Sequence, residues 1–307
     1  MHYGFIKDKL GENFIINDTV SLGGQGPDPF FFYGYTLKKR ENKIKVREFG
    51  SLLHHTDISR IYDFLLTYAY RRGCAEQRIL YEFIRGLMYH YCLDRNTHPY
   101  IFYISGFTEN EKDKAKYAFE HAKIESALDA IYQKDNGEVA IKDALKCPDK
   151  ELKIISKMFY SLAKDYFKVD YIKPETYFLA VKDMRLVYKI LNSPLKIKKI
   201  LFTSLFAKTM LNALSLPLSI KRIKKYDLFN HAHGKWRNCI NGNIRFESLI
   251  DLINNAKRDA DIVDEIILET KNGVEVLEKI EKFVHEIDHD GFEVNAKKKY
   301  FELKMSK

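Results

Sequence analysis

The chain has 307 residues, 46% hydrophobic and 30% charged, a globular composition that excludes an intrinsically disordered or collagen-like polymer. Glycine (15 residues) and proline (7 residues) are scarce, which argues against a many-stranded β protein and for long helices. Lys+Arg 51 against Asp+Glu 42 gives a formal charge of +9, which favours phosphate-bearing or anionic partners and leaves the fold open.

Residues 1–50 read as irregular. Five of the 15 glycines fall between Gly4 and Gly26, and SLGGQGPDPFFFYG is rich in turn-formers. From residue 51 the spacing is helical: Leu52, Leu53, Ile58, Ile61, Phe64, Leu65 and Tyr68 fall three and four apart. CAEQRILYEFIRGLMYHYCLD repeats the pattern through Ile79, Leu80, Phe83, Ile84, Leu87 and Tyr91. NTHPYIFYISGF then predicts a break, because proline removes a helical hydrogen bond. A further helix is expected over Glu109–Gln133 behind the cap candidate Thr108, followed by helices near 149–168, 174–192, 195–215, 246–270 and 274–288. There is no internal repeat. CPDKE at 147–151 is a weak boundary candidate, and the chain is taken as one all-α domain over 1–307.

The charge is concentrated. Pro194–Arg237 holds ten basic residues and one acid, Asp227, so this stretch alone carries the +9 of the chain. Within it lies the 20-residue run LFTSLFAKTMLNALSLPLSI. Lys208, Asn212 and Pro217 inside the run argue against a membrane span. A core helix with solvated basic ends is the first reading, and an interfacial helix placing 194–225 on an anionic membrane surface is the second. The four cysteines, at 74, 92, 147 and 239, form no CxxC pair and are expected as free thiols. MHYGFIKDKL lacks the apolar core of a signal peptide, so a cytoplasmic location, or a peripheral one on the membrane, is expected.

Six of the ten histidines lie in the first 125 residues. His90 and Asp94 are four apart, as are His121 and Glu125, and residues four apart share a helix face. His98 is expected where the chain turns between these helices. Imidazole nitrogen and carboxylate oxygen are the donors zinc takes, and facing helices are where bundles build metal sites. Each pair taken singly is more often an ordinary surface pair.

The order of these residues adds specificity. GLMYHYCLDRNTHPY resembles the G-x3-HYxxD-x3-HP core of the bacterial zinc-dependent phospholipase C family. HAKIE is similar to that family's H-x3-E pair, GGQGPDPFFFYG to its GPD segment, and LLHHTD to the segment bearing its upstream metal histidine. The resemblance covers about residues 1–130; the remainder, about 131–307, shares only a helical character. It implies an all-α phospholipase C-like fold with two to three zinc ions between helices. Asp28, His54, His90 and Asp94 would hold one ion; His98, His121 and Glu125 a second. Asp94 would bridge to a third, which His2 helps bind. His54 is preferred to His55 from its distance to the following pair Ile61–Tyr62; His55 would then be a neighbour or outer donor. In the secreted members the mature amino terminus ligates the third zinc, whereas here His2 directly follows Met1, so that ion is expected weaker, differently ligated or absent.

The implied activity is hydrolysis of a phospholipid headgroup ester, with zinc-activated hydroxide attacking phosphorus. Asp28 would ligate zinc and orient or deprotonate the attacking water, although a metal-bound carboxylate is a poor base. The single-strand-specific zinc nucleases have a related fold, so nuclease or other phosphoesterase activity is the alternative, and nucleic acid the second-ranked partner. A metal-bearing helical protein without catalysis is the third reading. HEIDH at 285–289 matches the HExxH pattern of zinc peptidases, but a solvated charged helix end is the better reading of it. His231 and His233, two apart, do not share a helix face, and GGQG lacks the GK[ST] of a phosphate loop. The FFFY run at 30–33 either walls a pocket or packs in the core.

Overall fold

A computed structural model describes residues 1–11, 17–35, 39–108, 110, 117, 120–135, 141–191 and 226–304. The helices are α1 (His2–Leu10), α2 (Asp18–Gly23), α3 (Pro29–Phe32), α4 (Lys43–His54), α5 (Ser59–Tyr70), α6 (Cys74–Ser105), α7 (Glu120–Asp135), α8 (Ile141–Ala144), α9 (Asp149–Ser161), α10 (Thr176–Leu191), α11 (Leu249–Lys271) and α12 (Leu277–Val284). A five-residue π-turn, Leu162–Tyr166, extends α9. Two-residue strands, Trp236–Arg237 and Ile244–Arg245, pair antiparallel. The fold is all-α, as the scarcity of turn-formers predicts.

Helix α6 organises the molecule. It runs 32 residues and buries most of its length, from Leu80 through Ser105. Helices α11 and α2 lie along it, with α1, α5, α7 and α9 against its other faces. Helix α10 covers α3, α3 meets α4, and α12 sits on α5. One cluster of buried apolar side chains extends from Phe5 to Val284. Phe30 is edge-to-face with Phe49, Phe159 and Tyr177, so most of the FFFY run is core.

Three expectations are corrected. Residues 1–50 are not irregular: α1 to α4 lie there, short helices whose stability comes from packing rather than length. The expected single helix from residue 51 is two, because α4 ends at His54 and α5 starts at Ser59. No break follows Asp94. The helix passes through Pro99 and ends at Gly106. Proline there deprives the Arg95 carbonyl of its helical partner. Gly291, at φ +78°, lays its backbone against this notch: a Cβ at 291 would stand 2.2 Å from Arg95 O and 2.8 Å from Pro99 Cγ.

Cys74 is exposed, the other three cysteines are buried, and all four are free thiols. The 195–215 helix, the run at 201–220 and its flanking bases Lys196, Lys198, Lys199, Lys221, Arg222, Lys224 and Lys225 lie outside the described residues. Among the described residues, no helix is long and apolar enough to cross a membrane.

Candidate metal centre

Helix α6 supplies the axis of the site. His90, Asp94 and His98 follow at four-residue intervals on one buried face, so His98 is in the helix and not on a turn after it. Around this face come His2 from the first turn of α1, Asp28 from the loop before α3, His54 from the last turn of α4, and His121 and Glu125 from α7.

Asp94 is the hub. It is 2% exposed. Its Oδ2 lies 2.9 Å from His90 Nε2, and its Oδ1 is 3.4 Å from both His2 Nε2 and His98 Nε2. On one side His54 Nε2 is 3.2 Å from Asp28 Oδ1. On the other, Glu125 Oε1 is 3.3 Å from His98 Nε2 and 3.2 Å from His121 Nε2. Three groups have donor atoms close enough to share one cation: His2–His90–Asp94, Asp28–His54–His90 and His98–His121–Glu125. All eight expected ligands therefore converge. Asp94 stands with His2, the pair expected at the third ion, but outside the Asp28–His54–His90 group, and His90 rather than Asp94 is the residue common to two groups.

The histidine rings are held in a consistent sense. His54 Nδ1 donates to the Gly50 carbonyl at 2.7 Å, and His90 Nδ1 to the Gly24 carbonyl at 3.1 Å. His98 Nδ1 faces Asp290 Oδ1 at 3.3 Å. A hydrogen bond from Nδ1 fixes the tautomer and leaves the Nε2 lone pair for a metal. His90 Nε2 illustrates this. It is close to Asp94 yet makes no hydrogen bond, because the two are not aligned as donor and acceptor. In metal-free protein charge holds the pair together, and a cation between the two would take the place of the ring proton. His2 Nδ1 and His121 Nδ1 also lack hydrogen-bond partners among the described residues. Buried imidazoles without partners, among carboxylates, fit a metal ion.

The electrostatics agree. Burial favours the neutral acid, yet the imidazoles of His90, His98 and His2 hold Asp94 well below the usual carboxylate range. His121 and His98 do the same to Glu125. Burial lowers His90, but Asp94 and Asp28 outweigh it and carry the ring up to about 9. His2 is pushed down to about 4 by burial and by its stacked neighbour His90, 4.2 Å away. In metal-free protein, stability from the protonated His90 is therefore fully present below pH 6.5 and lost as pH rises through about 9. Imidazole NMR of chelator-treated protein should give a His90 midpoint near 9; a midpoint at or below 6.5 would refute the carboxylate pairing.

His55 and His54 part company. His54 faces Asp28 and stacks on Phe31, while the half-exposed His55 points to Asp290, 3.6 Å from Oδ2. The amino group of Met1 pairs with Asp129, one turn beyond Glu125 on α7. His231 stacks on Phe229, and His233 bonds the Phe246 carbonyl at the surface.

The HEIDH segment is not a peptidase helix. α12 ends at Val284, and His285 and Glu286 adopt left-handed backbone and are exposed. His285 and His289 therefore do not share a helix face. The next residues reach the centre instead. Asp290 bonds His98 and also takes Lys298 Nζ at 2.5 Å. His289 is buried beside His54, ring centroids 4.8 Å apart. Sequence reasoning missed both; the density of histidine and aspartate in HEIDHD was the available signal. No family model matches the chain, and no curated protein or solved structure matches it, so the reading of the site rests on its own residues.

Proposed function

We propose that the protein is a zinc-dependent phosphodiesterase of the phospholipase C type, acting on the headgroup ester of a phospholipid. The observation that carries this reading is the convergence of eight imidazole and carboxylate donors, from separate elements, into three adjoining groups. Nitrogen and oxygen donors of this kind suit zinc. Bound zinc would supply an acidified water and positive charge opposite the phosphoryl oxygens.

The residues themselves set the remaining conditions. Asp28, Asp94 and Glu125 are the carboxylates of the three groups, too few to neutralise two or three dications. The loaded site would retain positive charge, which favours an anionic phosphodiester over a neutral amide. Glu125 and Asp28, with 34% and 30% of their side chains exposed, are the two carboxylates within reach of a substrate or a water. Asp94 is too buried for that and holds donors in place.

Zinc nuclease activity is the second reading, favoured by the +9 carried between Pro194 and Arg237. The same stretch, through 194–225, would alternatively contact an anionic membrane surface. The test combines elemental analysis with hydrolysis of phosphatidylcholine vesicles, a soluble bis-nitrophenyl phosphodiester, single-stranded DNA and a peptide. Two to three zinc ions per chain and chelator-sensitive cleavage of the lipid and the soluble diester are expected. Cleavage of DNA in place of lipid would move the nuclease reading ahead. Peptide cleavage alone, or zinc-replete protein inert on every phosphodiester, would overturn the proposal.

A further inference from the structure

We infer that His289 is a further metal ligand, closing the Asp28–His54–His90 group from the C-terminal end of the chain. The inference rests on the metal-centre reading above and adds a donor to it.

His289 is 3% exposed, and neither of its ring nitrogens has a hydrogen-bond partner among the described residues. A neutral imidazole carries one donor and one acceptor, and burying both unpaired is unfavourable. The contrast with its neighbours is direct, since His54 and His90 each spend Nδ1 on a backbone carbonyl. A ring left without partners beside two candidate metal histidines lacks an electrophile, and a cation shared with them is the one the surroundings specify.

Its position is fixed by backbone, not by chance packing. The His289 amide donates to the His54 carbonyl at 3.1 Å, tying the C-terminal turn to the end of α4. The turn is closed by Asp288 N–H to the Phe292 carbonyl at 2.8 Å and by Phe292 N–H to Asp288 Oδ1 at 3.2 Å. Gly291 seats it in the proline notch of α6. The ring is thereby held 4.8 Å from His54 and 5.5 Å from His90, centroid to centroid, with Tyr91 edge-on behind it. It stands beside the three-donor group without a nitrogen inside it, and joining the group requires the ring to move closer.

Donor number gives the inference its consequence. Asp28, His54 and His90 offer three donors, and a closed zinc site takes four. With His289 as the fourth, this ion is enclosed by protein. The open position then falls to the His98–His121–Glu125 group, where the side chains of His121 and Glu125 are 28% and 34% exposed. The substrate phosphate would enter on that side.

The experiment titrates cobalt(II), as a visible stand-in for zinc, into metal-free full-length protein, His289→Ala, His289→Gln and the surface control His231→Ala. Wild type and the control should bind two to three ions alike. Both His289 variants should bind one ion more weakly by about a hundredfold or more, since loss of even an outer partner costs roughly 10–100-fold. Their d–d bands should shift as a nitrogen donor is lost. Should wild type bind cobalt and the variants match it in stoichiometry, affinity and spectrum, His289 is no ligand. Should wild type bind no metal, the metal-centre reading itself falls. If neither variant folds, wild-type protein loaded with 113Cd decides: scalar coupling from cadmium to the His289 ring protons is expected, and its absence overturns the inference.

Discussion

Asp94→Ala is expected to be the most damaging single substitution in the site. Three imidazole nitrogens lie within 3.4 Å of its two oxygens, so its removal touches one donor group directly and the other two through His90 and His98. Purified Asp94→Ala should carry at least one metal ion fewer than wild type, and the proposed phosphodiesterase activity should fall by on the order of 100-fold or more, given that lesser changes around a metal cost roughly 10–100-fold. The damage should persist without metal. Asp94 is buried against His90, and removing one partner of a buried ion pair costs about 3–5 kcal/mol. Denaturant unfolding of chelator-treated wild type and variant separates the two effects. Asp94→Asn, which keeps the volume and one oxygen, should fall between them. Unchanged metal content together with unchanged metal-free stability would remove Asp94 from the centre of the site.

The legible part of this site was the part written in local spacing. His90–Asp94 and His121–Glu125 are each four apart, and a helix brings such pairs together whatever else the chain does. Long helices with an apolar stripe were legible for the same reason, as α6 and α11 show. His98 was misplaced because Pro99 carries a strong helix-breaking signal, and the segment that packs against the resulting notch, at Gly291, lies nearly two hundred residues away. His289 and Asp290 were missed because their partners are tertiary: His54 and His98 in the first third of the chain. Three of the four helices before residue 55, α1 to α3, were missed because they are short. Their apolar residues, such as Phe5, Ile6, Val20 and Leu22, are too few per element to show a period, and only the shared core reveals their purpose.

The precision of the centre depends on how closely α2 approaches α6. Gly23 and Gly86 meet there backbone to backbone: a Cβ on Gly86 would stand 2.2 Å from the Val20 carbonyl oxygen and 2.8 Å from Gly23 Cα. That contact sets the loop that follows α2. Gly24 gives its carbonyl to His90 Nδ1, Gly26 packs on the His90 ring, and Asp28 comes two residues later opposite His54. Tyr177 holds the same loop from α10, donating to the Gly26 carbonyl at 3.0 Å.

Gly86→Ala therefore poses two opposed effects of known sign. Alanine is the better helix former by about 1 kcal/mol, so a helix without neighbours would gain. Here the added methyl group has backbone on the far side, which cannot rotate away as a side chain could. Overpacking of this kind costs about 1–3 kcal/mol and occasionally more, so the net sign should be destabilising. The same displacement should reach the metal centre unevenly. Moving α2 outward carries Gly24 and Asp28 with it, and so weakens the Asp28–His54–His90 group. In the His98–His121–Glu125 group, His98 lies about two turns beyond His90 along α6 and the other donors are on α7, so this group should be spared. Chelator competition on the variant should show one ion lost at much lower chelator concentration than in wild type while another leaves at an unchanged concentration. A variant as stable as wild type, or one that loses its ions together, would show that the Gly23–Gly86 contact does not position Asp28.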